Sequence, residues 1–208
     1  MSIGSAERDV DQSPAPPIRA QLRQATAALH EEIEQKLDLP GADGSLDRYR
    51  NLLQAFYGFH APVEESIRSA GLAAPGFSLP ARAALLERDL LALGASASAI
   101  EELPRCRKLP AVESAGKLAG CLYVIEGACL GGQIIARGLA QRLGIGPDTG
   151  AAFFVGEGAG TAARWKQVIA WIEEVVRGGA PAAEVVESAR ATFGALLRWS
   201  QEQGVARG

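Results

Sequence analysis

The chain has 208 residues, 48% of them apolar and 22% charged, a composition too apolar for a disordered chain and ordinary for one globular domain. Its 21 basic and 24 acidic residues leave a formal charge of −3 with no basic block able to neutralise many phosphates, so nucleic acid is not an expected partner. Cys106, Cys121 and Cys129 form an odd set without CxxC spacing, which fits free thiols in a reducing cytosol rather than a disulfide framework.

Residues 1–17 are polar and proline-bearing, and lack both the basic start and the apolar centre of a secretory signal. The expectation is a flexible N-terminal arm, a domain over residues 18–208, a cytoplasmic location and no membrane association. From residue 18 the apolar positions Ile18, Leu22, Leu29, Ile33 and Leu37 follow helical period, and Pro40-Gly41 stops that helix. Ser45 caps a second helix whose stripe runs Leu46, Tyr49, Leu53, Phe56, His60, Val63 and Ile67, with Pro62 expected to kink it and Gly71 to end it.

A third helix is predicted over residues 80–93, closed by Gly94, and a short one over residues 98–103. Residues 104–110 are basic and bounded by prolines, which reads as a loop. The longest periodic run covers residues 112–143. Two further helices, over residues 161–176 and 182–201, are separated by Gly178-Gly179-Ala180-Pro181. No alternating strand segment and no sequence repeat is present, so the fold class is all-α, with about seven helices.

The long helix carries the anomaly. Gly127, Gly131 and Gly132 stand in its interior, and each costs about 1 kcal/mol relative to alanine. Either the missing side chains let something flat lie against the backbone, or Gly127-xxx-Gly131 marks a close helix crossing; spacing alone leaves both open. In the first helix His30 lies beside the Leu29/Ile33 stripe, with Thr26 and Glu34 at four-residue spacing and Arg23 two turns back. It is either a neutral imidazole able to hold a metal or heme iron, or a packed or surface histidine. His60 follows the aromatic run Phe56-Tyr57-Gly58-Phe59 and reads as core. With two histidines and no HExxH or paired ExxH, a di-iron or zinc hydrolase centre lacks candidate ligands. Gly156-x-Gly158-x-Gly160 has no preceding strand, and so reads as a loop and helix start, not a dinucleotide fingerprint.

The run around His30, together with Tyr123-Val124-Ile125-Glu126-Gly127-Ala128-Cys129-Leu130-Gly131-Gly132-Gln133, resembles the two signature helices of the heme oxygenases. The closest likeness is to bacterial members that make biliverdin for phytochromes. Phe153-Phe154, Trp165-Lys166, Thr192-Phe193 and Trp199 follow in family order, so the resemblance spans about residues 18–201.

It implies a multi-helical single domain holding heme between the first helix and the long one, with His30 as the iron ligand and Gly127 and Gly131 as backbone over the open face. By the same resemblance Arg23 and Lys166 hold the heme propionates, where the alternative is solvated charge, and Phe193 packs near the heme, where the alternative is plain core. The implied reaction cleaves heme, as substrate and cofactor, to biliverdin, carbon monoxide and iron. It uses O2 and electrons from a separate ferredoxin or flavin reductase, with no flavin or nicotinamide bound by this chain; a phytochrome could accept the product. A heme carrier or sensor that does not degrade heme is the alternative, and the same architecture without heme is a second.

Three positions depart from the family pattern. Animal members carry Asp where this chain has Ala128, a propionate-binding tyrosine matches Leu122 with Tyr123 one position off, and relatives often have tyrosine at Glu157. Arg105, Arg107 and Lys108 could form a basic docking patch for a donor protein, though a solvated loop is the favoured reading of them.

Overall fold

In a computed structural model, residues 16–37, 45–76 and 78–206 are described. Most of the arm assigned to residues 1–17, and the Pro40-Gly41 stop, lie outside the described residues. Eight α-helices follow in order: α1 Ile18–Lys36, α2 Leu46–Ser69, α3 Arg82–Ala92, α4 Ala97–Glu101, α5 Ala115–Leu143, α6 Ala152–Val155, α7 Thr161–Arg177 and α8 Ala182–Glu202, with a 3-10 turn at Gly158–Gly160. No strand occurs among the described residues; the one β-bridge joins Leu37 to Ala206.

The helix ends show where local signals decide and where they do not. The hydroxyls of Ser45, Ser96 and Ser114 accept from the amides of Arg48, Ala99 and Lys117, each satisfying a donor that the first turn leaves unpaired. Gly71 and Gly94 follow α2 and α3 with φ of +63° and +92°, the left-handed exit that a Cβ disfavours. α2 continues through Pro62 to Ser69. α3 begins at Arg82 rather than residue 80 because its first amides are held from outside: Glu64 Oε1 accepts from Arg82 N at 2.5 Å and Ala83 N at 3.1 Å. α6 has no counterpart in the sequence pattern. Its single turn depends on Asp89 of α3, whose carboxylate accepts from Ala152 N at 2.7 Å and Phe153 N at 2.8 Å.

α5 is the central element, packed on α8, α7 and α6. By length and composition it could cross a membrane, yet half of its most apolar window is buried against the other helices. Its close crossing with α8 uses glycines upstream of the anomalous ones. A Cβ on Gly120 would lie 2.6 Å from Ser188 Cβ and 2.7 Å from Ala189 N, and one on Gly116 would run into the Glu184 carboxylate. α8 is also pinned to α2, where Trp199 Nε1 donates to Ala55 O at 2.7 Å. α1 packs on α8 and α7. α1 and α5 thus share supports and are held apart from each other.

Candidate functional site

A cavity of about 460 Å³ lies between α1 and α5. Its walls are mostly apolar and aromatic: Phe56 of α2, Phe153 and Phe154 of α6, Trp165 of α7 and Phe193 of α8. Such a lining, with a few polar groups set into it, suits a flat, largely apolar ligand.

His30 stands on the α1 wall. Its side chain is 54% exposed, and its Nδ1 lies 3.5 Å from Glu34 Oε1. With Nδ1 turned toward a carboxylate, Nε2 is the nitrogen left for a ligand. Phe193 meets the imidazole edge-on, with ring centroids 5.9 Å apart.

The opposite wall is α5, and here the three glycines separate into different roles. Gly127 and Gly131 both line the cavity. A Cβ on Gly131 would meet nothing within 4 Å, and one on Gly127 would make ordinary contact with the Trp165 ring at 3.4 Å. Gly132 faces away from the cavity, where a Cβ would come 2.5 Å from Phe154 O. The crossing requirement therefore belongs to Gly132, together with Gly116 and Gly120. At Gly131 a missing side chain leaves open space. Ala128 also lines the cavity, so no carboxylate stands at that position on the wall, while Leu122 is fully buried and Tyr123 takes the wall position.

Arg23 and Lys166 do not form part of the wall. Both Arg23 and Lys166 are exposed. Arg23 lies one turn before the wall residue Thr26, and Lys166 directly follows the wall residue Trp165. Of the basic loop, Arg105 is turned inward, donating to Leu103 O at 2.6 Å and stacking over the Tyr57 ring at 4.5 Å. That fits a structural loop better than a docking patch.

Behind the α5 wall lies a buried ionic cluster that no contiguous motif announces. Glu126, with a side chain 1% exposed, accepts from Arg82 Nη2 at 2.8 Å and from Arg164 at 2.8 Å (Nε) and 2.6 Å (Nη2). Burial pushes the Glu126 carboxyl up, but the hydrogen bonds and charges of Arg164 and Arg82 outweigh it and hold the carboxyl below its ordinary range. The available signal was an acidic residue inside an otherwise apolar run, which burial permits only with cationic partners.

His60 is core, as expected, with 4% exposure, but it also lines the cavity. Its ring packs against Phe153 at 5.3 Å and Phe59 at 5.6 Å. Burial, reinforced by the Arg82 charge and opposed by Glu126, lowers its pKa to about 3, so the imidazole is neutral. Among the described residues no group of three or more His, Cys, Asp or Glu side chains is placed to hold a bare metal ion.

A sequence profile of the heme oxygenase family matches residues 17–202. Among solved structures, the chain is similar to a heme oxygenase from Neisseria meningitidis, described as NO- and CO-bound, with a TM-score of 0.71 and 24% identity over 91% of this chain and 92% of that one. At that identity the likeness shows the fold. No curated protein sequence matches the chain significantly.

Proposed function

This chain belongs to the heme oxygenase family, and on that footing we propose that it binds heme in the α1–α5 cavity and cleaves it to biliverdin, carbon monoxide and iron. The observation that carries the reading is a single accessible imidazole, His30, on one wall, facing a wall where Gly131 leaves the space that a side chain would fill. The residues present fit the group. Bound heme supplies the iron and the porphyrin edge at which oxidation occurs.

The protein's part is positional. His30 Nε2 is the iron ligand, with Glu34 fixing the ring through Nδ1. Gly127 and Gly131 keep the opposite face clear for dioxygen, and Phe153, Trp165 and Phe193 exclude bulk water from the slot. Arg23 and Lys166 reach the rim to pair with the two propionates. The electrons come from a separate donor protein, the location is cytoplasmic, and the product is available to a biliverdin-binding acceptor.

One observation favours a second reading, a heme carrier that does not degrade its ligand: Ala128 puts a methyl group on the wall where a carboxylate could have ordered water. Both readings are tested by one experiment, in which hemin is added to the protein with a reductant, air and catalase. Loss of the heme absorbance with appearance of a bilin and carbon monoxide supports the enzyme. A stable ferrous complex without bilin supports the carrier.

A further inference from the structure

We propose that His60 is the hydrogen-bond donor on the α5 side of the cavity, steadying a small ligand held opposite His30. This rests on reading the cavity as a heme site.

Three observations carry it. First, His60 is 4% exposed and yet lines the cavity, and its Nδ1 is buried with no hydrogen-bond partner. Because Nδ1 is sealed among aromatic rings, the edge that the ring presents to the cavity is the Nε2 edge. A neutral imidazole carries one N–H and one lone pair. A buried N–H without a partner is the rarer and costlier arrangement, so the lone pair sits on Nδ1 and the proton on Nε2, toward the cavity.

Second, the charged groups that act on His60 are Arg82 and Glu126. The placement itself comes from packing: the ring lies 5.3 Å from that of Phe153 on α6, and α6 packs on α5 where Phe154 O faces Gly132, so His60 stands on the glycine side of the cavity.

Third, the other polar groups of the cavity are already engaged or differently placed. The Thr26 hydroxyl donates to Leu22 O at 2.8 Å, Glu34 attends His30, and α5 contributes only Ala128 and Leu130 to the wall between its two glycines. Tyr123 is the remaining wall residue with a hydroxyl donor, its ring packed on Trp165 at 5.5 Å. The His60 ring is held by the rings of Phe56, Phe59 and Phe153, with centroids 6.4, 5.6 and 5.3 Å away, so the donor is set in place before any ligand arrives.

The test uses the full chain loaded with hemin, as wild type, His60→Phe, His60→Gln and Tyr123→Phe. Azide, an anionic acceptor, is titrated into the ferric form, and the C–O stretch of the ferrous carbon monoxide form is recorded. In His60→Phe the azide dissociation constant rises about tenfold, equivalent to about 1.4 kcal/mol, and the C–O stretch moves to higher frequency while carbon monoxide affinity changes little. His60→Gln, which keeps a donor, falls between the two. It also supplies the reading if the phenylalanine variant does not fold. Wild-type azide affinity and C–O stretch in His60→Phe, or the same changes in Tyr123→Phe instead, overturn the proposal. Failure of the wild type to bind hemin at all removes the heme reading first, and this one with it.

Discussion

Gly131 and Gly132 are neighbours on α5 with opposite surroundings: a Cβ on the first would touch nothing within 4 Å, and a Cβ on the second would stand 2.5 Å from the carbonyl oxygen of Phe154. Adjacent helical positions point about 100° apart, so one glycine serves the cavity and the other serves the packing of α6. The two positions therefore fail differently. Gly131→Leu leaves the unfolding midpoint nearly unchanged and abolishes or sharply weakens hemin binding. Gly132→Ala, which must move backbone rather than a flexible side chain, lowers stability by about 1–3 kcal/mol. Denaturant unfolding and hemin titration of both variants check this, and equal destabilisation by the two would contradict the division of roles.

The buried carboxylate of Glu126 joins Arg82 and Arg164, and removing it leaves two guanidinium groups facing each other behind the cavity wall. Glu126→Ala is expected to cost about 3–5 kcal/mol, the usual penalty for breaking a buried pair by one partner. The carboxyl is held below its ordinary range, so its contribution is complete above the unfolded-state pKa and is lost as pH falls through the lower folded value. Urea unfolding of the variant at neutral pH measures the loss.

His60 also loses stability in acid, but over a higher pH range. Its folded pKa is lowered to about 3 from 6.5, so below the unfolded value the unfolded chain takes up a proton that the folded one refuses. Stability therefore decreases as pH falls through that window. Between neutral pH and pH 5 this single group removes about 2 kcal/mol, since each pH unit below the unfolded value costs about 1.4 kcal/mol. His60→Phe removes the dependence, so the difference in stability between wild type and variant should narrow by about that amount on acidification. Parallel pH profiles for the two proteins would contradict it.

Arg23 and Lys166 stand off the cavity wall, so neither is needed for folding. Replacement of either by alanine is expected to change stability by less than about 0.5 kcal/mol. Each replacement weakens hemin binding by at most about fivefold, the scale of an exposed ion pair at about 0.2–1 kcal/mol, and the effect should shrink with added salt.

The helices were legible because their signals are local. Apolar period, serine caps and closing glycines place α1, α2, α5, α7 and α8 within a few residues of their observed ends. What the sequence hid depends on contacts across the chain. The start of α3 is set by Glu64 and the whole of α6 by Asp89, partners that no local window contains. The same holds at the site. His30 and the glycine-rich run are contiguous motifs and could be read directly. The glycines that make the α5–α8 crossing, Gly116 and Gly120, are revealed only by where α8 lies. His60 is legible as a core residue, but that the same ring also faces the cavity could not be inferred from an aromatic stripe of helical period.

The most direct test of the account is a hemin titration of wild type beside His30→Ala, followed in the visible spectrum. His30 is half exposed, so the variant should keep its fold and its unfolding midpoint. The wild type is expected to show a histidine-ligated heme band, and the variant to lose that band and bind hemin more weakly. The same band at the same affinity in His30→Ala would contradict the placement of heme iron on α1.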